Sequence, residues 1–196
     1  MLASITPLGE RGRNATWAIT VTAFAIGASV AGAAVGALLG ALGSVVLPGF
    51  VSTQTRLAVL AGAVALAIVL DAIPRGVPGP RRQVNERWLD EYRGWVYGLG
   101  YGVQLGVGVT TVVSSAGTYV AMAAAFLAAR PAAGAAIVGC FGAIRGLTLL
   151  AAVGVRTPPQ LLAMHRAMSR WQRRVRWGGV LVLAGMLAVA LLWVAT

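Results

Sequence analysis

The sequence predicts an all-α, polytopic transmembrane helix bundle of five spans, and three observations lead to this fold class. First, 58% of the 196 residues are hydrophobic and only 11% are charged, whereas soluble domains are about 25% charged. Second, five apolar runs approach or exceed the ~20 residues that cross a bilayer. Third, the arginines alternate between connecting segments as membrane topology requires. The whole chain, 1–196, is therefore predicted to form one integral membrane domain.

The predicted spans cover residues of about 17–47, 57–73, 95–129, 132–155 and 177–195. Each is expected to be helical, because a bilayer core offers the backbone no hydrogen-bond partners. The first run is too long for the apolar region of a cleaved signal peptide, so it is expected to be retained. The run 95–129 would be about 52 Å long as one straight helix. It must tilt, extend beyond the bilayer or break, and a break is expected between residues 110 and 117. A re-entrant hairpin in either long run, 17–47 or 95–129, is the alternative.

The orientation follows from counting arginines, which supply all sixteen basic residues. The N-terminal segment, the second connection and the fourth connection hold two, five and six arginines, whereas the first and third connections hold one each. The positive-inside rule therefore predicts a cytoplasmic N-terminus and an outward C-terminus. We expect a multi-pass protein of the plasma (inner) membrane of a bacterium. The arginines that give the net charge of +11 lie between apolar runs, apart from Arg145. This placement favours anionic lipids as partners rather than nucleic acid.

The fourth connection predicts a cytoplasmic, interfacial amphipathic helix over about 158–176. Thr157 suits the N-cap and Pro158 the first helical position. Apolar residues then recur at spacings of three and four: Leu161, Met164, Met168, Trp171 and Val175. The predicted lipid-binding residues on the remaining face are Arg166, Arg170, Arg173 and Arg174. Such a helix is expected to lie in the headgroup region of the inner leaflet.

Glycines recur at four-residue spacing in the first and third predicted spans. They are Gly32, Gly36 and Gly40 in the first and Gly98, Gly102 and Gly106 in the third. This spacing places glycines on one helix face, where two backbones can approach closely. We interpret all six as helix-packing residues. A mobile or broken helix that lines a path is the alternative.

A group of polar side chains interrupts the third predicted span. It consists of Gln104, Thr110, Thr111, Ser114 and Ser115. Hydroxyls in membrane helices commonly bond to carbonyls of their own helix, which would make the group structural. Clusters of glycine and hydroxyl residues also mark broken helices whose free backbone groups line binding sites. The sequence therefore predicts these five residues as candidate substrate contacts.

Arg145 lies near the centre of the fourth predicted span. A charge at that depth costs about 2.5–3.5 kcal/mol on insertion scales. The guanidinium group could extend toward the cytoplasmic face or pair with Asp71, which lies at the end of the second span. If Arg145 is instead functional, its charge favours an anionic or carbonyl-rich ligand. It joins the candidate substrate-binding residues.

The remaining motifs predict no catalytic residues, no metal site and no cofactor. There is no phosphate-binding loop and no nucleophile–base pair, so we do not expect an enzyme. His165, Met164 and Met168 belong to the surface helix. Cys140 is the one cysteine and therefore cannot form an internal disulfide.

Two stretches resemble a known family. YRGWVYGLGYGVQLGVG is similar to the fourth span of the CcdA/DsbD-type membrane thiol electron transporters of cytochrome c biogenesis, and VTAFAIGASVAGAAVGALLGALGSVV to their second span. Runs 57–73 and 177–195 are similar to the third and sixth. The resemblance implies a helical scaffold with an inverted repeat and a cavity between the repeats. The family's first span and its two cysteines with their prolines are missing, and the corresponding region reads VGVTTVVSSAG. No residue here can therefore take a thiol electron-transfer role.

Two functions of different classes follow from these observations. The first is a small transporter or permease-like protein that moves a small solute along spans one, three and four. The second is a non-catalytic subunit or assembly factor of a larger membrane complex. A homodimer or other membrane subunits are the expected protein partners.

Overall fold

The computed structural model describes residues 5–47, 49, 51–73, 77–79, 87–108, 113 and 115–195. All regular secondary structure in these residues is helical, in agreement with the predicted all-α class. The helices are α1 (Pro7–Gly12), α2 (Trp17–Val46), α3 (Thr53–Ala72), α4 (Trp88–Glu91), α5 (Gly94–Val107), α6 (Gly117–Leu127), α7 (Pro131–Leu147) with a 3-10 helix behind it (Thr148–Ala152), and α8 (Pro158–Ala195).

Four helical stretches of the described residues are long and apolar enough to cross a bilayer. They are Trp17–Val46, Thr53–Ala72, Pro131–Ala152 and Pro158–Trp193. The shorter helix α6 is apolar as well. These lengths and compositions agree with a membrane helix bundle.

Helix α2 is the centre of the packing and contacts α5, α6 and α7. Its 30 residues make it about 45 Å long. The helix is unbroken from its first residue to its last, so the re-entrant alternative for run 17–47 is wrong.

Helix α5 packs against α2 with the two backbones in direct contact. A Cβ atom built on each of three α5 glycines would meet a carbonyl oxygen of α2. The pairs are Gly98 with Thr20, Gly102 with Phe24 and Gly106 with Ala28. Both numbers of each pair increase together, so α5 runs parallel to α2.

Helix α7 packs on α2 by the same kind of contact. Cβ atoms on three α2 glycines would meet carbonyl oxygens of α7 or of the residue before it. The pairs are Gly32 with Val138, Gly36 with Gly134 and Gly40 with Arg130. One number rises as the other falls, so α7 is antiparallel to α2. The structure therefore places all six glycines of the two predicted motifs at backbone contacts between helices.

The third predicted span, 95–129, is two helices rather than one. Helix α5 ends at Val107, and its C-cap residue Gly108 has a φ of 81°, in the left-handed region that glycine adopts without steric cost. Helix α6 begins at Gly117 and runs on until Phe126 meets Gly43 near the end of α2. Together α5 and α6 contact α2 from Thr20 to Gly43, about 34 Å of its length. The segment is thus discontinuous, and it advances along α2 instead of turning back.

Helices α3, α6 and α8 form a second packed group. Its buried residues are Val64, Ala67, Ala116, Val120 and Leu183. Helix α6 also contacts α2 and α7. It therefore joins this apolar group to the glycine-packed one.

The separate interfacial helix predicted over 158–176 is not observed, because Pro158–Ala195 is one continuous helix. Its 38 residues span about 57 Å. Both prolines lie at its start, where proline is tolerated, and Gly178 and Gly179 each cost only about 1 kcal/mol in a helix. No residue after these two prolines forces a bend in the helix. The amphipathic segment is therefore the first half of the same helix that forms the last apolar run.

Candidate functional site

Arg145 lies in the last turn of α7, with its guanidinium carbon 5.6 Å from the centre of the Phe141 ring. Its Nη1 atom is buried and has no hydrogen-bond partner among the described residues. Gly146, the next residue, packs against Ala25 of α2. Arg145 therefore lies at a level about 12 Å along α2 from that helix's first residue. This level is nearer to one end of α2 than the central position that the sequence predicts for Arg145 in its span.

Gln104 is half-buried on α5. It lies between Gly102 and Gly106, which pack at Phe24 and Ala28 of α2. Arg145 lies at the same level of α2, and α5 and α7 contact each other. The fold thus brings these two predicted site residues to one level on neighbouring helices.

Ser115 is engaged elsewhere, in a cap at the start of α6. Its hydroxyl donates to Asp71 Oδ2 at 2.8 Å and accepts from the Gly117 amide at 3.1 Å. The Ala116 amide donates to Asp71 Oδ1 at 2.8 Å. Asp71 is buried, and its two oxygens accept from the two residues that directly precede α6. The carboxylate stabilises the positive end of the α6 dipole.

The pairing of Arg145 with Asp71, considered from the sequence, is not observed. No ion pair joins Arg145 to a carboxylate in the part of the chain that the structure describes. The other predicted contacts, Thr110, Thr111 and Ser114, lie outside the described residues.

Glu10 forms a buried polar cluster that the sequence analysis missed. Its side chain is fully buried and forms a salt bridge with Arg13 at 2.8 Å. Thr20 Oγ1 donates to Glu10 Oε2 at 2.7 Å. The Tyr97 hydroxyl lies 2.6 Å from both carboxylate oxygens. One carboxylate therefore ties the segment before α2 to α2 itself and to α5.

Arg13 completes this cluster. Burial lowers the pKa of Arg13, but its interactions with Glu10 and Tyr97 outweigh that effect and hold the pKa above its ordinary value. The Arg13 guanidinium carbon also lies 5.7 Å from the centre of the Tyr97 ring. The one sequence signal for the cluster was the i,i+3 spacing of Glu10 and Arg13 in a chain with only five acidic residues.

The predicted lipid-binding arginines are all exposed on the first half of α8. They are Arg166, Arg170, Arg173 and Arg174. The Arg174 guanidinium carbon lies 5.0 Å from the centre of the Trp171 ring. Arg170 Nε donates to the Arg166 carbonyl oxygen at 3.2 Å. Lipid binding by these exposed side chains stays a prediction.

The described residues contain no group of three or more His, Cys, Asp or Glu side chains that could hold an ion. Cys140 is exposed on α7 with a free thiol.

Comparison of the chain with protein-family models, curated proteins and solved structures returned no match. Its function is therefore inferred from the geometry of its own residues.

Proposed function

We propose that the protein is a small, non-enzymatic transporter or permease-like module that moves a small anionic solute across a membrane. The observation that carries the proposal is the discontinuity between α5 and α6, which begins one helical turn from the level of Gln104 and Arg145. A broken membrane helix leaves backbone amide and carbonyl groups without partners in their own helix. Such groups are retained at membrane depth where they line a cavity or a site.

Arg145 supplies the positive charge of the proposed site. A buried guanidinium nitrogen without a hydrogen-bond partner is unfavourable unless a ligand or water completes its bonding. An oxyanion accepts from the planar guanidinium group better than a neutral solute does. Gln104, at the same level, adds an amide that can donate and accept.

The path that we propose runs between α5 and α7. Glycine contacts close the interfaces of α2 with both helices, because the backbones there leave no room for a solute. Gln104 lies on α5 and Arg145 lies on α7. None of the described glycines makes a backbone contact of this kind between those two helices. The path expected from the sequence ran along spans one, three and four, and the path proposed here leaves out the first span.

We further propose five crossings with the N-terminus inside, in the plasma membrane of a bacterium. The crossings are α2, α3, the α5–α6 pair, α7 with its 3-10 extension, and α8. The parallel packing of α5 on α2 and the antiparallel packing of α7 on α2 support these directions. Reporter tags on Met1 and Thr196 that label from opposite sides of the membrane are the expected result. Tags on the same side would contradict the topology.

Water access to Gln104 tests the path without knowledge of the solute. In a Cys140→Ser background, Gln104→Cys is expected to react with a small, charged, water-soluble thiol reagent in proteoliposomes. Leu66→Cys is the matched control, because Leu66 is 59% exposed on an apolar helix and would face lipid. Equal protection of both cysteines would exclude an aqueous path at Gln104.

Arg145 is tested by solute uptake in proteoliposomes, using a panel of sulfate, phosphate and small carboxylates. A solute whose uptake is lost in Arg145→Leu and partly kept in Arg145→Lys supports the proposal. Uptake that is the same in Arg145→Leu and wild type would remove Arg145 from the site.

A second function, a non-catalytic subunit or assembly factor, is favoured by the exposure of α8. Large apolar side chains remain exposed along it, including Leu181, Leu192 and Trp193. These residues would contact either lipid or another membrane subunit. Co-purification of a stoichiometric membrane partner that is lost in Leu181→Ser, with no solute uptake by the isolated protein, would favour this second function over transport.

A further inference from the structure

An open cavity of about 470 Å³ lies where the N-terminal ends of α2 and α5 meet. Its volume is within the range of about 300–1,000 Å³ that is typical of small-ligand pockets. Arg13 and Arg93 are both in its wall, and none of the described lining residues is an acid. The described residues of the cavity wall therefore carry positive charge.

Arg93 supplies a charge that no acidic side chain of the described residues pairs with. The charge of Arg13 is offset by Glu10, with which it forms a salt bridge. Arg93 is exposed, and its side chain has no salt bridge or hydrogen bond within the described part of the chain. An exposed guanidinium group that is not tied down by a neighbour can bond to a ligand without first losing another contact.

The N-terminal ends of the parallel helices α2 and α5 add positive electrostatic potential to the cavity. Thr16 precedes α2 and Arg93 precedes α5, and both residues line the cavity. Neither side chain caps the first turn of its helix. The first backbone N–H groups of a helix have no acceptor within it, and both helix dipoles direct their positive ends here.

Two aromatic residues in the wall are of the types that concentrate at membrane surfaces. Tyr92 and Trp95 are 50% and 51% exposed, and both line the cavity. Tyr and Trp concentrate at the headgroup level of membranes, where one side of the ring contacts apolar atoms and the other contacts water. An anion that binds at this level is either part of a lipid headgroup or comes from the adjacent solution.

We propose that this cavity binds a phosphate-bearing anion through Arg93, assisted by Arg13 and the backbone amides that begin α2 and α5. Arg recognises phosphate oxygens by two parallel hydrogen bonds. The headgroup of an anionic phospholipid and a soluble phosphate monoester share this chemistry. The site is separate from the one around Arg145, so either proposal can fail without the other.

The test measures binding to the purified full-length protein in a non-ionic detergent by calorimetry. The probes are dioctanoylphosphatidylglycerol, glycerol 3-phosphate and, with the same tails as the first but no net charge, dioctanoylphosphatidylcholine. The variant is Arg93→Gln, which leaves the Glu10 cluster intact. Arg93→Lys keeps the charge without the paired donors. Arg130→Gln is the matched control, because Arg130 is also exposed but lies at the opposite end of α2.

Arg93→Gln is expected to weaken binding of the phosphate-bearing probe about tenfold or more, as loss of a hydrogen bond between charged groups does. Arg93→Lys should lie between this variant and wild type, and Arg130→Gln should match wild type. Binding of the phosphatidylglycerol alone identifies a lipid headgroup, and binding of glycerol 3-phosphate as well identifies a soluble phosphate ester. Binding that is equal in Arg93→Gln and wild type, or equal for the two lipids, would overturn the proposal. The absence of binding by both anionic probes would also overturn it.

Discussion

Gly36 of α2 and Gly134 of α7 face each other so closely that a Cβ atom on either would overlap the carbonyl oxygen of the other. The contact is therefore reciprocal, with backbone against backbone on both helices. Association in a bilayer gains little from hydrophobic burial, since lipid tails are as apolar as side chains. Close backbone approach, with its van der Waals contacts, is what remains to hold α2 and α7 together.

Gly36→Ala is expected to lower the free energy of unfolding by about 1–3 kcal/mol, because the new methyl group must push two backbones apart. Gly62→Ala is the matched control, since Gly62 lies within α3 and has no atom within 4 Å of the added position. There the change should be neutral or stabilising by up to about 1 kcal/mol. Unfolding in detergent, followed by tryptophan fluorescence, measures both. Equal stability of the two variants would show that the contact between α2 and α7 tolerates separation of the two backbones.

The hydrogen bond from Tyr97 to Glu10 predicts energetic coupling between these residues. Glu10→Gln removes the charge, and Tyr97→Phe removes the donor, so each should lower the free energy of unfolding by about 1.5–3 kcal/mol. The double variant should lose less than the sum, since both single changes weaken the same interaction between Glu10 and Tyr97. Tyr92→Phe, on a half-exposed side chain, should have little effect. Additive losses in the double-mutant cycle would contradict the coupling.

Asp71 is predicted to hold the start of α6 in place. Asp71→Asn keeps one acceptor oxygen where the wild-type residue uses two, and removes the charge that stabilises the helix dipole. A loss of about 1–2 kcal/mol in the free energy of unfolding is expected, as for the loss of a helix cap. The exposed Glu91 provides the control, Glu91→Gln. Faster hydrogen exchange at the first amides of α6 would locate the effect, and unchanged exchange there would contradict it.

The exposed arginines of α8 are predicted to favour anionic lipid. Replacing all four with Gln should reduce the retention of phosphatidylglycerol relative to phosphatidylcholine, because each arginine contributes about 1 kcal/mol near an anionic surface. Replacing them with Lys should preserve the preference, and raised salt should weaken it in the wild type. Native mass spectrometry of the purified protein gives the lipid ratio. An unchanged ratio in the Gln variant would mean that these residues do not select lipids. The four residues are Arg166, Arg170, Arg173 and Arg174.

Features that depend on local pattern were predictable here. The apolar runs indicated helices, because composition alone decides whether a segment can enter a bilayer. The four-residue spacing of glycine indicated which face of each of two spans packs closely against another helix, because that spacing aligns residues on one side of a helix. A break was also expected in 95–129, from its excess length and its glycine and hydroxyl residues.

The amphipathic segment shows why a pattern can indicate a face without indicating a boundary. The segment is helical as predicted, but periodicity cannot say whether a helix ends before the next apolar run. Continuity depends on whether any residue interrupts the backbone hydrogen bonds, and none does between Pro158 and Ala195.

The sequence by itself determined that this chain is helical and apolar, and which helix faces carry glycine. Only the tertiary structure decided that Glu10 lies against Tyr97, that Asp71 caps α6, and that Gln104 and Arg145 share a level. The physical reason is separation along the chain. The Tyr97–Glu10 hydrogen bond joins residues 87 positions apart, and the Ala116–Asp71 bond joins residues 45 positions apart. Both bonds depend on how α1, α3, α5 and α6 are placed in space, and no local spacing encodes that placement.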